Sequence, residues 1–301
     1  MLGEQAQHLL RDVFGGPLNG TLDQAHRITR RVVLWGGDEP HTVPHAALVI
    51  SGSRLESALH ERPSPEGEGP SSRQSEPSFV LSTTAPATGT VLRFGQREAS
   101  ATPVVLQPGA DPHAALIEAV EQGWLFVIPT CGQNGWLLTV GASPADALRE
   151  SRLVASAVAE TGETSKQFET APRILGHPAT PGGLTLGTAA LAFDPICGDG
   201  VATAVRGGIL AAAIAAELAT ETALDRAAMI GHYRAMLIAA MRRHLAVSAP
   251  FYERGGQGPW WREQAEATAR GHAWCTRQLA AAGEAQFVLI GDRIALRDRV
   301  A

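Results

Sequence analysis

The segment from Gly187 to Gly208, GTAALAFDPICGDGVATAVRGG, restricts the fold of this chain more than any other stretch. Its apolar start predicts a short strand, and Gly198 and Gly200 predict a sharp turn because glycine lacks a Cβ. The alanine-rich residues from Val201 onwards predict a helix, whose first N–H groups have no partner inside the helix. These donors and the helix dipole favour an anion or an electron-rich carbonyl at the turn. An ordinary strand, turn and helix without a ligand is the alternative interpretation.

Two further observations limit what this segment can be. Gly207 and Gly208 lie inside the predicted helix, where each costs ~1 kcal/mol relative to alanine, so close packing against another element is expected. Thr203 stands where a dinucleotide-binding Gly-x-Gly-x-x-Gly loop needs a glycine or alanine, and the sequence contains no other such motif. The sequence therefore does not predict a dinucleotide-binding βαβ unit.

Length, charge and cysteine content exclude several classes of protein. The 301 residues suffice for one large or two smaller domains, and 45% hydrophobic residues suffice for a sizeable core. A net charge of −5 argues against nucleic acid as a partner, which needs a concentrated basic face. The three cysteines are far apart and no signal peptide is recognisable, which favours the cytoplasm. The most apolar run, 207–219, contains Glu217 and is too short for a membrane span.

Hydrophobic periodicity and turn residues predict elements throughout the chain. We expect a helix over 2–14, strands at 30–37 and 45–52, and a helix over 53–61. Residues 61–77 are rich in proline, serine, glycine and glutamate, and this composition predicts a flexible loop.

The pattern changes to strands between residues 78 and 141. The runs GWLFVIP and GWLLTVG predict a hairpin that turns at Asn134-Gly135, within an antiparallel sheet covered on one face. Ser143 is the predicted N-cap of a helix that continues to Glu160. The remaining expected elements are three helices and a closing hairpin, at 201–218, 224–244, 262–282 and 286–298.

The segment LGTAALAFDPICGDGVATAV resembles the second flavin-binding motif of FAD-dependent monooxygenases of the hydroxybenzoate-hydroxylase type. The usual pattern is Gly-Asp-Ala-Ala, then Asp-Pro, then Gly-x-Gly and a helix. The run FDPICGDG is most similar to a subgroup of halogenase-like proteins and of flavoproteins that mature peptide-derived quinone cofactors. The segments RRVVLWG, SRLESALHE, GWLFVIP, GWLLTVG and GDRIAL also fit the layout of that subgroup, so the resemblance extends over most of the chain.

The resemblance implies an α/β fold of the FAD/NAD(P)-binding flavoprotein type, without its N-terminal βαβ unit and with an inserted antiparallel substrate sheet. Residues 1–60 and 161–240 would form a discontinuous residual FAD-binding domain, and 78–160 the substrate domain. Residues 61–77 would form the flexible loop, and 241–301 a C-terminal helical cap and hairpin. The implied activity is that of an FAD-dependent oxidoreductase, a monooxygenase or halogenase-like enzyme acting on an aromatic or peptide-bound substrate.

The resemblance also assigns residues to a cofactor site and a substrate site. The helix end would lie at the pyrimidine side of the flavin. The residues assigned to the cofactor are Gly187, Thr188, Asp194, Pro195, Gly198, Asp199, Gly200, Val201 and Arg54. Trp124, Phe126 and Pro129 would line the substrate site on the sheet above the flavin. The resemblance identifies no general base, and no metal is expected.

Three places that hold FAD in the family are absent or altered here. The chain has no Gly-x-Gly-x-x-Gly, Thr188 replaces the aspartate of the Gly-Asp pair, and the Asp-Gly motif expected near 79–86 is not recognisable. We therefore expect FAD to bind weakly or not at all. A non-catalytic relative that acts as a binding partner or chaperone, and a sequence truncated at its start, are the alternatives to an enzyme. The expected partners are a small aromatic or peptide substrate or a protein substrate, with neither nucleic acid nor a membrane.

Two other patterns give weaker signals. Cys197 precedes the predicted helix start, where the pKa of a thiol can fall, but a small residue packed in the turn is the simpler interpretation. His41 and His45 have a four-residue spacing, but Pro44 breaks the helical pair that a metal site would need there.

Overall fold

A computed structural model describes residues 1–37, 39–60, 79–87, 89–180, 182–218, 225–283 and 286–297. The loop predicted at 61–77 lies outside these residues. The described part of the chain is a mixed α/β structure with one nine-stranded sheet, two three-stranded sheets and a separate hairpin.

The helices of this part are α1 (Glu4–Phe14), α2 (Pro17–Asp23), α3 (Gly52–His60), α4 (Pro144–Glu150), α5 (Val154–Ala157), α6 (Gly200–Leu218), α7 (Arg226–Arg254) and α8 (Pro259–Ala282). The first nine strands are β1 (Leu2–Gly3), β2 (His26–Leu34), β3 (His41–Val49), β4 (Val80–Ser82), β5 (Val91–Arg93), β6 (Glu98–Leu106), β7 (Ala114–Val120), β8 (Gly123–Pro129) and β9 (Asn134–Val140). The others are β10 (Val158–Thr161), β11 (Lys166–Glu169), β12 (Arg173–Leu175), β13 (Ala179–Thr180), β14 (Gly183–Thr185), β15 (Leu191–Ala192), β16 (Phe287–Ile290) and β17 (Arg293–Leu296).

The large sheet has the strand order β1-β3-β2-β7-β8-β9-β6-β10, with β11 also paired to β6. Its neighbours are antiparallel except β2 and β7, which are parallel. Strands from the 1–60 segment and from the 78–160 segment therefore share one hydrogen-bonded sheet. The division of these segments into an FAD domain and a substrate domain stays a prediction.

The hairpin of β8 and β9 is antiparallel, which confirms the pairing expected from the sequence. The predicted turn was wrong, because Asn134-Gly135 already belong to β9 and Gly135 pairs with Pro129. The chain turns before them, where Gly132 has a φ of +65° in the left-handed region that favours glycine.

Both faces of the large sheet are covered, whereas the sequence predicted one covered face. Leu125 of β8 faces a core that α4 and α5 complete. Trp124 and Phe126 alternate with Leu125 and face an opposite core that includes Trp261. The nearly continuous apolar run of β8 is typical of a strand buried on both sides.

The helix expected over 143–160 is two short helices followed by a strand. Ser143 caps α4 as predicted. The helix ends because the buried carboxylate of Glu118 on β7 accepts the N–H groups at the start of α5, including that of Val154 at 2.9 Å. The next residues form β10 and pair with β6. A contact between distant parts of the chain thus overrides the local helical pattern.

The three C-terminal helices pack together around a further core. α6 begins one residue before its predicted start, and α7 continues past the expected end at 244 to Arg254 through Pro250. Ile214, Tyr233 and Met241 are fully buried in this core. By length and composition alone, α6 is the one helix of the described residues that could cross a membrane, a test that core helices of soluble proteins also pass. The expected absence of a membrane partner stays a prediction.

Candidate functional site

A cleft of about 960 Å³ lies between α1, β3, α6, α7 and the β16–β17 hairpin. Its walls include apolar side chains such as Leu191, Phe193 and Leu237. Three arginines from three different elements also line it: Arg31, Arg206 and Arg243. A concave, largely apolar cavity with a few polar groups is typical of a small-molecule site.

The glycine-rich motif forms one wall of this cleft. After a 3-10 turn at Pro195–Cys197, Gly198 has a φ of +66°, a left-handed conformation that favours glycine. α6 then begins at Gly200, and the carbonyl of Asp199 accepts the Thr203 N–H at 3.0 Å. Gly198, Asp199 and Thr203 line the cleft. The predicted turn and helix start therefore border a cavity.

The glycines of this segment leave open space in front of them. A Cβ built at Gly198 or Gly200 meets no described atom within 4 Å, so protein packing does not require glycine at either position. The close packing predicted for Gly207 and Gly208 was wrong, because a Cβ at either position also meets no described atom within 4 Å. Gly207 instead lines the cleft.

Asp194 of the same motif belongs to a buried polar network and does not line the cleft. Its carboxylate accepts from Arg97 Nη1 at 2.8 Å and from the hydroxyl of Tyr252, and the side chains of the Arg97–Asp194 pair are fully buried. It also accepts the Ile196 N–H at 2.9 Å. Burial raises the pKa of Asp194, and the Arg97 guanidinium opposes that rise. Asp194 therefore anchors the motif to the protein.

Arg97 is hydrogen-bonded on the side of α8 as well. Its Nε donates to Gln264 Oε1 at 3.0 Å, and its Nη2 donates to Thr268 Oγ1 at 2.9 Å. The guanidinium also lies over the ring of Tyr252, 4.0 Å from the centroid. Several hydrogen bonds and a counter-charge are what a buried charge requires. Arg97 could not be recognised from the sequence, because its local pattern does not differ from that of a surface arginine.

His244 on α7 connects this network to the cleft, which it lines together with Phe193. Its Nε2 accepts the Asp194 N–H at 3.1 Å, and its ring stacks on Phe193 with 4.3 Å between the centroids. Burial, together with the charge of Arg97, lowers the pKa of His244 to about 4, so the imidazole is neutral at pH 7. Because Nε2 accepts a hydrogen bond, Nδ1 carries the proton.

Cys197 lines the cleft but is not an activated thiol. Burial raises the pKa of Cys197 to about 12, and the carboxylates of Asp194 and Asp199 add to the rise. The hypothesis of a lowered thiol pKa was wrong, because desolvation and negative charge outweigh the helix dipole. Within the described residues, no group of three or more side chains could hold a metal ion.

Most of the other residues assigned to the cofactor are not part of the cleft lining: Gly187, Thr188, Pro195, Val201 and Arg54. Val201 packs against a core beside α1. Arg54 on α3 is exposed and donates to Gln24 Oε1 at 3.2 Å. Of the assigned residues, Gly198 and Asp199 do line the cleft, and Gly200 starts the helix beside them.

The three residues assigned to the substrate do not line the cleft either. Trp124 is 1% exposed and packs with Trp261. Phe126 lies on the same face of β8, and Arg31 stands over its ring at 5.6 Å from the centroid. Pro129 faces the opposite way and borders a second cavity of about 430 Å³. The large sheet reaches the first cleft through Arg31 of β2, for which the sequence predicted no role, and through residues of β3 that include His45.

The charged residues of the cleft differ in their partners. Arg206 Nη1 lies 3.7 Å from Asp199 Oδ2, so these two charges compensate each other. Arg31 donates to His45 Nε2 at 3.1 Å and has no carboxylate partner among the described residues. Glu4 is the other carboxylate of the lining and Arg243 the third arginine, and both are exposed. Three arginines against two carboxylates favour an anionic ligand.

No protein-family model matches the sequence, and the search of curated proteins found no match. Solved structures are similar over most of the chain. The peptidyl tryptophan dihydroxylase QhpG, essential for tryptophylquinone cofactor biogenesis, has 16% identity and a TM-score of 0.65, with 87% of this chain and 69% of that chain covered. The myxobacterial chondrochloren halogenase CndH, a variant of FAD-dependent halogenases, has 15% identity and a TM-score of 0.65, with 93% and 80% covered. The flavin-dependent brominase Bmp2 has 16% identity and a TM-score of 0.61, with 93% and 82% covered.

These similarities establish the fold. The chain has the α/β fold of FAD-dependent halogenases and of QhpG, which confirms the fold class and the resemblance seen in the sequence. At identities of 15 to 16%, the chemistry has to be argued from the residues of the cleft.

Proposed function

We propose that this protein is an FAD-dependent oxidoreductase and that the cleft beside α6 binds the flavin. One observation carries the proposal. In a fold shared with FAD-dependent enzymes, the segment that resembles a flavin-binding motif lies at the wall of a cleft. α6 starts at that wall, and its first N–H groups have no partners inside the helix.

The residues of the cleft fit a flavin at its ring end. The open space at Gly198 and Gly200 allows a flat ring to approach the backbone. The pyrimidine edge of a flavin carries both hydrogen-bond donors and acceptors. The Asp199 carboxylate would accept from this edge, and the N–H groups at the helix start would donate to it. Arg206 and Arg243 would supply positive charge for phosphate groups. The volume of about 960 Å³ is within the range of small-molecule sites.

The adenosine half of FAD has less support from this chain. The sequence contains no Gly-x-Gly-x-x-Gly loop. Asp194, which the resemblance assigns to the cofactor, is bonded to Arg97 instead. We therefore keep the expectation of weak FAD binding, with a Kd of about 1 µM or higher, equivalent to about −8 kcal/mol.

A bound flavin would supply electron transfer, and the protein would supply binding and electrostatics. The positive end of α6 and the arginines would favour negative charge on the ligand. Leu191, Phe193 and Leu237 would exclude water from the apolar part of the cleft. The neutral ring of His244 would keep the loop in place through its bond to the Asp194 N–H.

We further propose that the substrate is aromatic, either small or peptide-bound. QhpG acts on a peptidyl tryptophan, and the largely apolar walls of the cleft suit a ring. The proposed oxidation includes monooxygenase chemistry, halogenase-like chemistry and the maturation of a quinone cofactor. We propose that it takes place in the cytoplasm.

A pair of adjacent substitutions tests where flavin binds. Gly207 lines the cleft and Gly208 does not, and a Cβ at either position meets no described atom within 4 Å. Gly207→Leu should fill the cleft and weaken FAD binding about tenfold or more. Gly208→Leu should leave FAD binding unchanged. Both should raise the helix stability by up to ~1 kcal/mol, because glycine is the poorer helix former. Quenching of flavin fluorescence and thermal unfolding measure the two effects.

The outcomes separate two candidate functions. Equal FAD affinities in all three proteins would contradict flavin binding in this cleft. Absence of FAD binding even at millimolar concentration would favour a non-catalytic binding partner or chaperone, a candidate supported by the missing dinucleotide loop. Oxygen-dependent conversion of an added aromatic compound by the reduced complex distinguishes an oxidoreductase from a protein that only carries flavin.

A further inference from the structure

The cleft contains one partly buried arginine whose charge no described residue neutralises. Arg31 lies on β2 and lines the cleft. Its Nη2 donates to His45 Nε2 at 3.1 Å, and its Nε is buried without a hydrogen-bond partner among the described residues. Because arginine stays protonated at neutral pH, this position carries a full positive charge.

His45 orients Arg31 without compensating its charge. Arginine only donates hydrogen bonds, so His45 Nε2 presents a lone pair and the imidazole is neutral. Burial and then the charge of Arg31 lower the pKa of His45, while the Glu4 carboxylate has the smaller, opposite effect. Glu4 itself is exposed at the start of α1.

An aromatic ring also contacts the guanidinium. Arg31 Cζ lies 5.6 Å from the centroid of Phe126. A cation–π contact stabilises a cation but leaves its charge unneutralised. The protein thus holds an oriented positive charge at the wall of a largely apolar cleft. Such a charge is costly to desolvate unless an anion accompanies it.

Building on the proposed function, we propose that Arg31 binds the carboxylate of an aromatic substrate whose ring contacts the apolar wall of the cleft. The planar donors of a guanidinium match the two oxygens of a carboxylate. Arg206, which also pairs with Asp199, and Arg243 are the arginines proposed above for the flavin phosphates, so Arg31 is the arginine of the lining that remains for the substrate. Ala46 and Phe193 belong to the lining that would contact the ring. A flavin phosphate is the other oxyanion that would suit Arg31, and the experiment separates the two.

1-Naphthaleneacetate and 1-naphthaleneacetamide have the same ring and differ in charge. By calorimetric titration, the unmodified protein should bind the carboxylate about 10- to 100-fold more tightly than the amide, the range expected for a charged hydrogen bond. Arg31→Met should remove this preference and leave the amide affinity unchanged, and Arg31→Lys should restore part of the preference. The matched control is Arg30→Met on the same strand, where Arg30 pairs with Asp111 outside the cleft, and it should keep the preference.

A second variant tests the proposal even if Arg31→Met does not fold. His45→Asp places a carboxylate beside Arg31 within the protein, so it should abolish the preference for the free carboxylate without lowering the midpoint of thermal unfolding. Loss of the preference in His45→Asp supports the proposal. A preference retained in a folded Arg31→Met or in His45→Asp overturns it.

Titrations with FMN and riboflavin distinguish a substrate carboxylate from a cofactor phosphate as the anion that Arg31 binds. If Arg31 binds the substrate carboxylate, Arg31→Met leaves both flavin affinities unchanged. Weaker binding of FMN with unchanged binding of riboflavin would assign Arg31 to a cofactor phosphate and overturn the proposal. Failure of the unmodified protein to bind either flavin would contradict the proposed function, and the carboxylate titration would still decide the role of Arg31.

Discussion

Arg97 and Arg31 are two arginines in contrasting surroundings. Arg97 is fully buried and has a carboxylate, an amide and a hydroxyl as hydrogen-bond partners. Arg31 is partly buried and has one histidine, one aromatic ring and an open cleft. A buried charge needs a counter-charge, so the arginine that the protein neutralises itself is structural. The arginine that it leaves without a counter-charge is available to a ligand.

The same contrast divides the glycine-rich motif. Asp194 faces the closed network and anchors the chain, whereas Gly198 borders the open cleft. The free energy of unfolding should therefore depend strongly on the charges of the closed network and only weakly on those of the open cleft.

The largest effect is expected when the network loses its carboxylate. Asp194→Asn leaves Arg97 buried without a counter-charge, which should lower the free energy of unfolding by about 3–5 kcal/mol. Urea unfolding followed by tryptophan fluorescence measures this loss. Asp199→Asn is the control, because its pair with Arg206 is partly exposed and such pairs contribute about 0–1 kcal/mol. Equal losses in the two variants would remove the distinction between the network and the cleft.

A smaller loss is expected for the hydroxyl that bonds to the same carboxylate. Tyr252→Phe should lower the free energy of unfolding by about 1.5–3 kcal/mol, because the lost hydrogen bond goes to a charged group. Tyr233 donates to the neutral carbonyl of Thr185 at 2.8 Å, so Tyr233→Phe should cost only about 0.5–1.5 kcal/mol. The same urea experiment compares them, and a larger loss for Tyr233 would contradict a charged network.

The link between network and cleft should depend on pH. The pKa of His244 is lowered to about 4 in the folded protein, so between that value and its usual range the unfolded chain binds more protons. The stabilising contribution of the neutral imidazole is complete above the unfolded pKa of about 6.5 and is lost as the pH falls. The free energy of unfolding should decrease by about 2 kcal/mol from pH 7 to pH 5. His244→Gln keeps an acceptor for the Asp194 N–H and should lose this part of the dependence. If the free energy of unfolding changes by the same amount between pH 7 and pH 5 in both proteins, the prediction of a neutral His244 imidazole is contradicted.

The smallest effect is expected at the open arginine. Arg31→Met removes a charge without a counter-charge, so the free energy of unfolding should change by no more than ~1 kcal/mol and in either direction. Arg97→Met should instead cost about 3–5 kcal/mol, because it leaves Asp194 buried and unpaired. Urea unfolding measures both variants. If Arg31→Met and Arg97→Met lose comparable free energies of unfolding, the protein itself neutralises Arg31.

Elements with a strong local pattern could be predicted from the sequence. The apolar runs of β8 and β9 pair as expected, and α6 begins within one residue of its predicted start. Predictions failed where a distant residue decided the outcome. The carboxylate of Glu118 ends the helix after Ser143, and β9 takes up Asn134-Gly135 because the chain turns earlier. Local propensity alone contains neither contact.

The sequence by itself determined the apolar runs of β8 and β9 and a glycine turn at a helix start, because periodicity and the missing Cβ of glycine are local properties. The α/β class was implied by the resemblance of the sequence motifs to those of flavoproteins. Only the tertiary structure decided which residues meet. Arg31, His45 and Phe126 come together because β3, β2, β7 and β8 are neighbours in one sheet, and the sequence states no such pairing. Whether a charge is neutralised depends on the groups around it in space, so the closed surroundings of Arg97 and the open ones of Arg31 follow from the fold alone.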